Sequence, residues 1–344
     1  MQRNKKIRAT LQAQKRIRKQ LIAQHWKHLP RKVRETRERL AERYVEVRER
    51  LQASKGYEAL TCICKLDRVV VTARTLSWAD FRSIPGYRLL RERHLPKKNG
   101  YALAQPIRGT GSVKSIVIEH RRRAGWLAPF RITVIPIDRT GLREEDLRTI
   151  LELLTDPTFS LLEIAFDFPI WSVIDVDYVR RFGLFGKTWS SAGWNPTHQK
   201  YGGTRGSKIV KVYAKWEIDA LRVELELRSR FLRRHAIADI FDFGRLAEIL
   251  VGRHIYFGRM NTDKLVEWLR NFRSAKRQNI LEHVANGARS LWETLRYLRQ
   301  KVGLENTQRL LTPIHEVNRV IDEASLAWAG QWPKTPTRFG AQGS

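Results

Sequence analysis

Acidic residues are scarce in this chain, and its first 34 residues contain none. The whole sequence of 344 residues has 35 Asp and Glu against 65 Lys and Arg, a formal net charge of +30. Such self-repulsion is sustained in a soluble protein mainly by a polyanionic partner. Phosphates neutralised by Lys or Arg release counterions, which gives affinity for nucleic acid before any base is read. Membrane surfaces are the rival polyanion, but no apolar run approaches the ~18 residues of a spanning helix. No signal peptide opens the sequence either, so no membrane partner and a cytoplasmic address are expected. Cysteine is nearly absent too, with only Cys62 and Cys64, in a strand-like run from Leu60 to Val71. Structural zinc takes four ligands and no second Cys/His pair accompanies these two, so they are read as buried thiols that need no oxidising compartment. The sequence also has no His-hydrophobic-His triplet, which excludes the nicking enzymes built on that metal motif; His25 and His28 are read as surface side chains.

The composition changes along the chain. Residues 1–56 are read as a basic helical arm. Twelve Lys or Arg precede Glu35, among them Lys5, Lys6, Arg16 and Arg18, and these are candidate phosphate contacts. From Glu35 to Leu51 acids and arginines alternate at helical spacing, as in a solvated helix with i,i+4 ion pairs. From Leu60 short apolar runs take over. Val69–Val71, Ser115–Glu119, Arg131–Ile135, Leu161–Phe168, Lys208–Tyr213 and Leu221–Arg228 read as strands, with helices over Arg143–Leu154 and Val176–Phe182. Residues 186–207, rich in Gly, Ser and Thr, read as a long loop, of a kind that in a compact domain is usually functional or disordered. Its Trp189 and Trp194 are candidates for stacking on unpaired bases. Beyond Arg230 the patterns are helical, with Trp268, Trp292 and Trp328 on apolar faces. The expected fold is α+β: the basic arm, an α+β domain over 57–232 with a mainly antiparallel sheet, a helical domain over 233–330, and a disordered tail over 331–344.

Side chains alternate faces along a strand. Glu163, Ala165 and Asp167 therefore share one face, opposite Leu162, Ile164, Phe166 and Phe168. Lys211, Tyr213 and Lys215 oppose Val210 and Val212, while Arg222, Glu224, Glu226 and Arg228 oppose Val223, Leu225 and Leu227. Taken alone, such faces are equally well explained as a solvated surface laced with salt bridges. DNA-cutting chemistry gives a second explanation. A phenol, with its pKa of ~10, becomes a nucleophile when a cation lowers the cost of the phenolate, and Lys211 and Lys215 flank Tyr213. Clustered carboxylates (Glu163, Asp167, Glu224 and Glu226) are hard ligands for Mg²⁺ or Mn²⁺.

The same residues resemble the replication initiation factor family of plasmid and phage rolling-circle initiators, the Rep_trans type. That family has a tyrosine, a glycine two residues on and a serine four further, matched here by Tyr201, Gly203 and Ser207. An aromatic-Tyr-Asp-Lys strand follows, matched by Tyr213 and Lys215, and then an Arg-x-Glu strand, matched by Arg222, Glu224 and Glu226. Leu162–Asp167 is similar to the family's acidic strand, and Asp67-Arg-Val-Val-Val-Thr to its opening strand. Two positions depart from the pattern: Ala214 replaces the Asp between tyrosine and lysine, and Glu163 replaces the first acidic-strand Asp.

The resemblance implies an origin-specific nicking and rejoining enzyme that forms a 5′-phosphotyrosyl intermediate with a divalent ion. Tyr213 is the preferred nucleophile, because a strand holds it more firmly than a Gly-rich loop holds Tyr201. Expected DNA contacts are Arg205, Ser207 and Arg222, and Arg121, Arg122 and Arg123 in a loop before Gly125-Trp126. Origin duplex and single strand are the expected partners, with a host helicase and polymerase and, as an open question, a second copy of the chain. Two alternatives stand beside this reading: a relaxase of a mobile element, and a non-catalytic DNA- or RNA-binding regulator.

Overall fold

The computed structural model describes residues 60–93, 100–107, 111–120, 128–184, 187–188, 198–202, 207–237, 243–250, 255–285, 291–302 and 307–332, together with the exposed helical residues Glu42, Glu46 and Glu49. Ten strands form one sheet, and every neighbouring pair is antiparallel. One wing is the meander β3 (Tyr87–Arg93), β4 (Tyr101–Pro106), β5 (Val113–His120) and β6 (Phe130–Pro136). The centre is β1 (Ile63–Ala73) beside β8 (Thr158–Pro169). The other wing runs outward through β12 (Ala220–Arg228), β11 (Lys208–Lys215), β10 (His198–Gly202) and β9 (Lys187–Thr188). Short strands β2 (Thr75–Leu76) and β7 (Leu154–Thr155) pair separately.

Alternation sets the faces. Leu66, Ile164, Phe166, Val223, Leu225 and Val212 lie in one hydrophobic core, each fully buried. Helices α1 (Trp78–Arg82), α2 (Glu144–Leu151) and α3 (Val176–Phe182) add Phe81, Leu147, Ile150 and Val179 to it. Asp175 caps α3, accepting the Tyr178 N–H at 2.6 Å, as an N-cap carboxylate should.

After α4 (Ser229–Arg234) the elements are mostly helical: α5 (Phe243–Leu250), α6 (Thr262–Leu269), α7 (Ser274–Ala285), α8 (Leu291–Val302) and α9 (His315–Ala329), with the β13 (Gly258–Met260) and β14 (Leu311–Pro313) pair between them. Helix α9 lies against β1 and places Val317, Ile321 and Trp328 in the sheet's own core, joined there by Leu246, Ile255 and Phe257. The Asn318 amide exchanges two 2.8 Å hydrogen bonds with the backbone of Phe257, which fixes α9 to that segment. A smaller cluster gathers Leu265, Leu269, Ile280, Leu298 and Leu310, with Trp268 packed against it.

The stretch expected to be loop over 186–207 contains β9 and β10, so there the expectation of an unbroken loop is corrected. Pairing of β10 with β11, and of β9 with β10, overrides the local glycine and serine content. No helix among the described residues is long and apolar enough to cross a membrane. Apart from Glu42, Glu46 and Glu49, the basic arm over 1–56, with Lys5, Lys6, Arg16 and Arg18, lies outside the described residues, as do Arg121–Arg123, Trp189, Trp194 and Arg205.

Candidate active site

The polar face of the central strands is assembled by register. Across β1, β8, β12 and β11, one row reads Ile63, Asp167, Arg222, Tyr213, and the next reads Lys65, Ala165, Glu224, Lys211. Between Leu66 and Arg68 the β1–β8 ladder slips by one residue. A bulge of this kind re-aims side chains, and here both Asp67 and Arg68 reach the polar face, Asp67 to Arg222 and Arg68 to Glu163.

The centre of the face is buried, while the side chains of Arg68 and Arg228 stand partly exposed at its edge. Arg222 is 0% exposed, and Glu163, Asp167, Glu224 and Glu226 are all buried. Five cations (Lys65, Arg68, Lys211, Arg222, Arg228) meet five carboxylates (Asp67, Glu163, Asp167, Glu224, Glu226) in two linked groups. In the first, Arg222 binds Asp167 through two hydrogen bonds of 2.7 and 3.0 Å and also pairs with Asp67, while Lys65 lies 2.6 Å from Asp167 Oδ2. In the second, Lys211 Nζ is 2.7 Å from Glu163 Oε1 and 3.1 Å from Glu226 Oε2 and pairs with Glu224; Arg228 also pairs with Glu226. Unpaired, such charges would cost several kcal/mol each to desolvate.

A turn after β6 lies over this face. Lys65 donates to the Asp138 carbonyl, and Lys215 Nζ is 2.8 Å from the Asp138 carboxylate, so one residue spans from β1 to β11. Gly141 makes the close approach possible: its φ is +70°, and a Cβ there would stand 2.7 Å from Lys65 Cβ. Asp138 is held below the ordinary carboxylate range, since Lys215 outweighs the opposing effect of its burial.

Tyr213, half-buried at the centre, donates its phenolic hydrogen to Glu224 Oε2 at 2.6 Å. Burial, then the Glu224 carboxylate, push this phenol well above its usual pKa. The expectation that Lys211 and Lys215 stabilise a phenolate is therefore corrected, because both ammonium groups are committed to carboxylates. Lys211 stays protonated despite its burial, held by Glu224 and Glu163. What faces the phenol is a base.

The expected metal ligands divide. Asp67, Glu163 and Glu224 offer oxygens that all lie within 4.8 Å of one another. Burial raises the Asp67 carboxyl, with Arg222 opposing, and burial followed by Glu224 raises Glu163. Glu163 Oε2 is buried and accepts no hydrogen bond among the described residues. Three hard oxygens converging from β1, β8 and β12 fit a divalent cation, which would compete with the Lys211 ammonium for Glu163 and Glu224 and with Arg68, 3.3 Å from Glu163 Oε2. Asp167 and Glu226 stand outside this trio. Asp167 is paired with Arg222 and Lys65, and Glu226 with Lys211 and Arg228, so the structure does not gather these two expected ligands with the other two.

Two expected DNA contacts are also corrected. Arg222 is fully enclosed by its carboxylates, and Ser207 is buried where its carbonyl accepts the Arg228 N–H at 2.9 Å. Tyr201 lies on β10, opposite Val210 of β11. Asp67 and Asp138 escaped sequence reasoning as site residues, and only Asp67 left a signal, its place in the opening strand of the family resemblance. Cys64 is buried and neither cysteine is in a disulfide. No protein-family model matches the chain, and no curated protein matches it.

Proposed function

We propose that this chain is a metal-dependent DNA strand transferase that nicks and rejoins one strand at a replication origin, like the rolling-circle initiators it resembles. The observation that carries the reading is the Tyr213 phenol, hydrogen-bonded to a carboxylate of the Asp67–Glu163–Glu224 trio. Glu224 takes the phenolic proton as Tyr213 Oη attacks phosphorus. The bond from phosphorus to the 3′-oxygen breaks, and water protonates that leaving oxygen, giving a 5′-phosphotyrosyl enzyme and a free 3′-hydroxyl; the polarity follows the family resemblance. Rejoining is the reverse displacement by a 3′-hydroxyl, with Glu224 returning its proton. Asp67, Glu163 and Glu224 would hold Mg²⁺ or Mn²⁺, which when bound polarises the phosphate oxygens. Arg222 and Asp167 position Tyr213 through the shared row. The +30 charge supplies the grip on the DNA backbone, with the basic arm and the helical elements of 233–330 holding duplex.

Within this reading the chain is cytoplasmic and works with a host helicase and polymerase. A relaxase that nicks a mobile element uses the same chemistry. One observation favours a non-catalytic DNA-binding regulator instead: every cation of the face already has a carboxylate partner. Incubation with supercoiled DNA carrying the gene's own flanking sequence separates the two readings. Nicked circles formed with Mg²⁺ or Mn²⁺ and absent in EDTA support the transferase, whereas binding without nicking under either condition supports the regulator.

A further inference from the structure

Beside the charged face lies a cavity of about 350 Å³ at the end of β1, β8 and β12. Its apolar lining is Ile63, Phe168, Pro169, Trp171 and Ile218, and its floor is Lys65 with Asp167. Ile63 is 62% exposed, a large aliphatic side chain left uncovered on a central strand. The floor charges cancel, since Lys65 and Asp167 are 2.6 Å apart, so the cavity selects neither a free anion nor a free cation. Arg139, exposed at the edge, has no ion-pair partner among the described residues.

From this we infer that the cavity is a pocket for one unpaired nucleobase of a DNA single strand. It rests on the reading of the neighbouring face as a DNA site. The chemistry matches a neutral, flat heterocycle: apolar walls with an indole among them, and lining charges that balance, Lys65 and Arg139 against Asp167 and Asp219, with Arg139 exposed to meet the adjoining phosphate. The volume admits one base and excludes a duplex. The walls are built in advance, because the Ile170 N–H donates to the Asp219 carbonyl at 2.9 Å and so ties the turn before β12 to the end of β8. Position supports the assignment as well. Ile63 begins the row that ends at Tyr213, three strands away, a separation of roughly 14 Å at ~4.8 Å per strand. A base seated in the pocket thus anchors the strand a short distance from the phosphate at Tyr213 and fixes which phosphate is presented.

The test uses the full chain in EDTA, where no cleavage occurs, and two labelled single strands of equal length and charge, one with bases and one abasic. The native chain binds the base-bearing strand more tightly. Trp171→Ala and Ile63→Asp each remove about tenfold of that preference while leaving affinity for the abasic strand unchanged. Ile63→Asp alters an exposed side chain, so it keeps the test open should the Trp171 variant fail to fold. Equal losses on both strands, or no loss in either variant, overturn the pocket. Neither cleavage nor metal enters the assay, so a chain that shows this preference yet never nicks DNA keeps the pocket and loses the transferase reading.

Discussion

Two arginine–carboxylate pairs cross neighbouring strands of the same sheet, and they are unlike in kind. Arg131 on β6 meets Glu119 on β5 at 2.9 Å, with side chains 37% and 27% exposed. Arg222 on β12 meets Asp167 on β8 at 2.7 Å, with side chains 0% and 3% exposed. Both pairs are direct cross-strand partners; the outer contact is a single hydrogen bond to a glutamate and the central one a double hydrogen bond to an aspartate, and their surroundings differ most. The outer pair exchanges water for a partner at little net gain. The central pair exists because the turn carrying Asp138 and the bulge at Asp67 close over it, and a buried, fully paired charge network is costly to build for stability alone. Its place beside a tyrosine and three clustered carboxylates is the reason to read it as the frame of a site.

That contrast is broken most severely at Arg222. Arg222→Leu leaves Asp67 without its cation and Asp167 with Lys65 alone. Urea denaturation should show a loss of about 3–5 kcal/mol, most of it recovered when Asp67 is made apolar as well. Recovery would identify unpaired charge, not lost volume, as the cause.

A smaller effect is expected from the divalent ion. At a hundredfold excess over its dissociation constant, Mg²⁺ should stabilise the fold by about 2.7 kcal/mol. Glu163→Gln should abolish this gain without lowering stability in EDTA, because burial and the neighbouring Glu224 carboxylate already disfavour the charged form of Glu163. The pH dependence has a definite sign. The Asp67 and Glu163 pKa values are raised, so without metal their contribution to stability is present below the ordinary carboxyl pKa and is lost as pH rises through the folded values. The ion binds only the charged carboxylates, so the Mg²⁺-induced shift in midpoint should grow as pH rises over the same window. A shift independent of pH would place the ion elsewhere.

The smallest effect belongs to the outer pair. Arg131→Ala should change stability by only ~0–1 kcal/mol, and raised salt should erase the difference. A loss as large as that at Arg222 would mean the contrast between the two regions is not one of burial.

Much of the central sheet is legible in the sequence because period-two alternation is a local signal. The opposed faces of β8, β11 and β12 follow from it residue by residue. Three things are not local. Asp67 reaches the site only through a bulge, which breaks the alternation rule where it matters. Asp138 reaches it from a turn seventy-three residues away from its partner Lys65. The burial of Arg222 depends on elements on either side, and an arginine read from sequence looks like a surface cation suited to DNA. Strands β9 and β10 were hidden for a related reason: the glycines and serines around them say loop, and only the pairing of β10 with β11, and of β9 with β10, makes them strand.

The account stands most directly on the fate of Tyr213. The full chain is incubated with Mg²⁺ and its origin strand, any covalent adduct is trapped by denaturation, and the DNA-linked peptide is identified by mass spectrometry. The account predicts a single adduct on the peptide containing Tyr213, lost in Tyr213→Phe while that variant keeps its native affinity for DNA. An adduct on the peptide containing Tyr201, or nicked DNA with no tyrosine adduct at all, would contradict it.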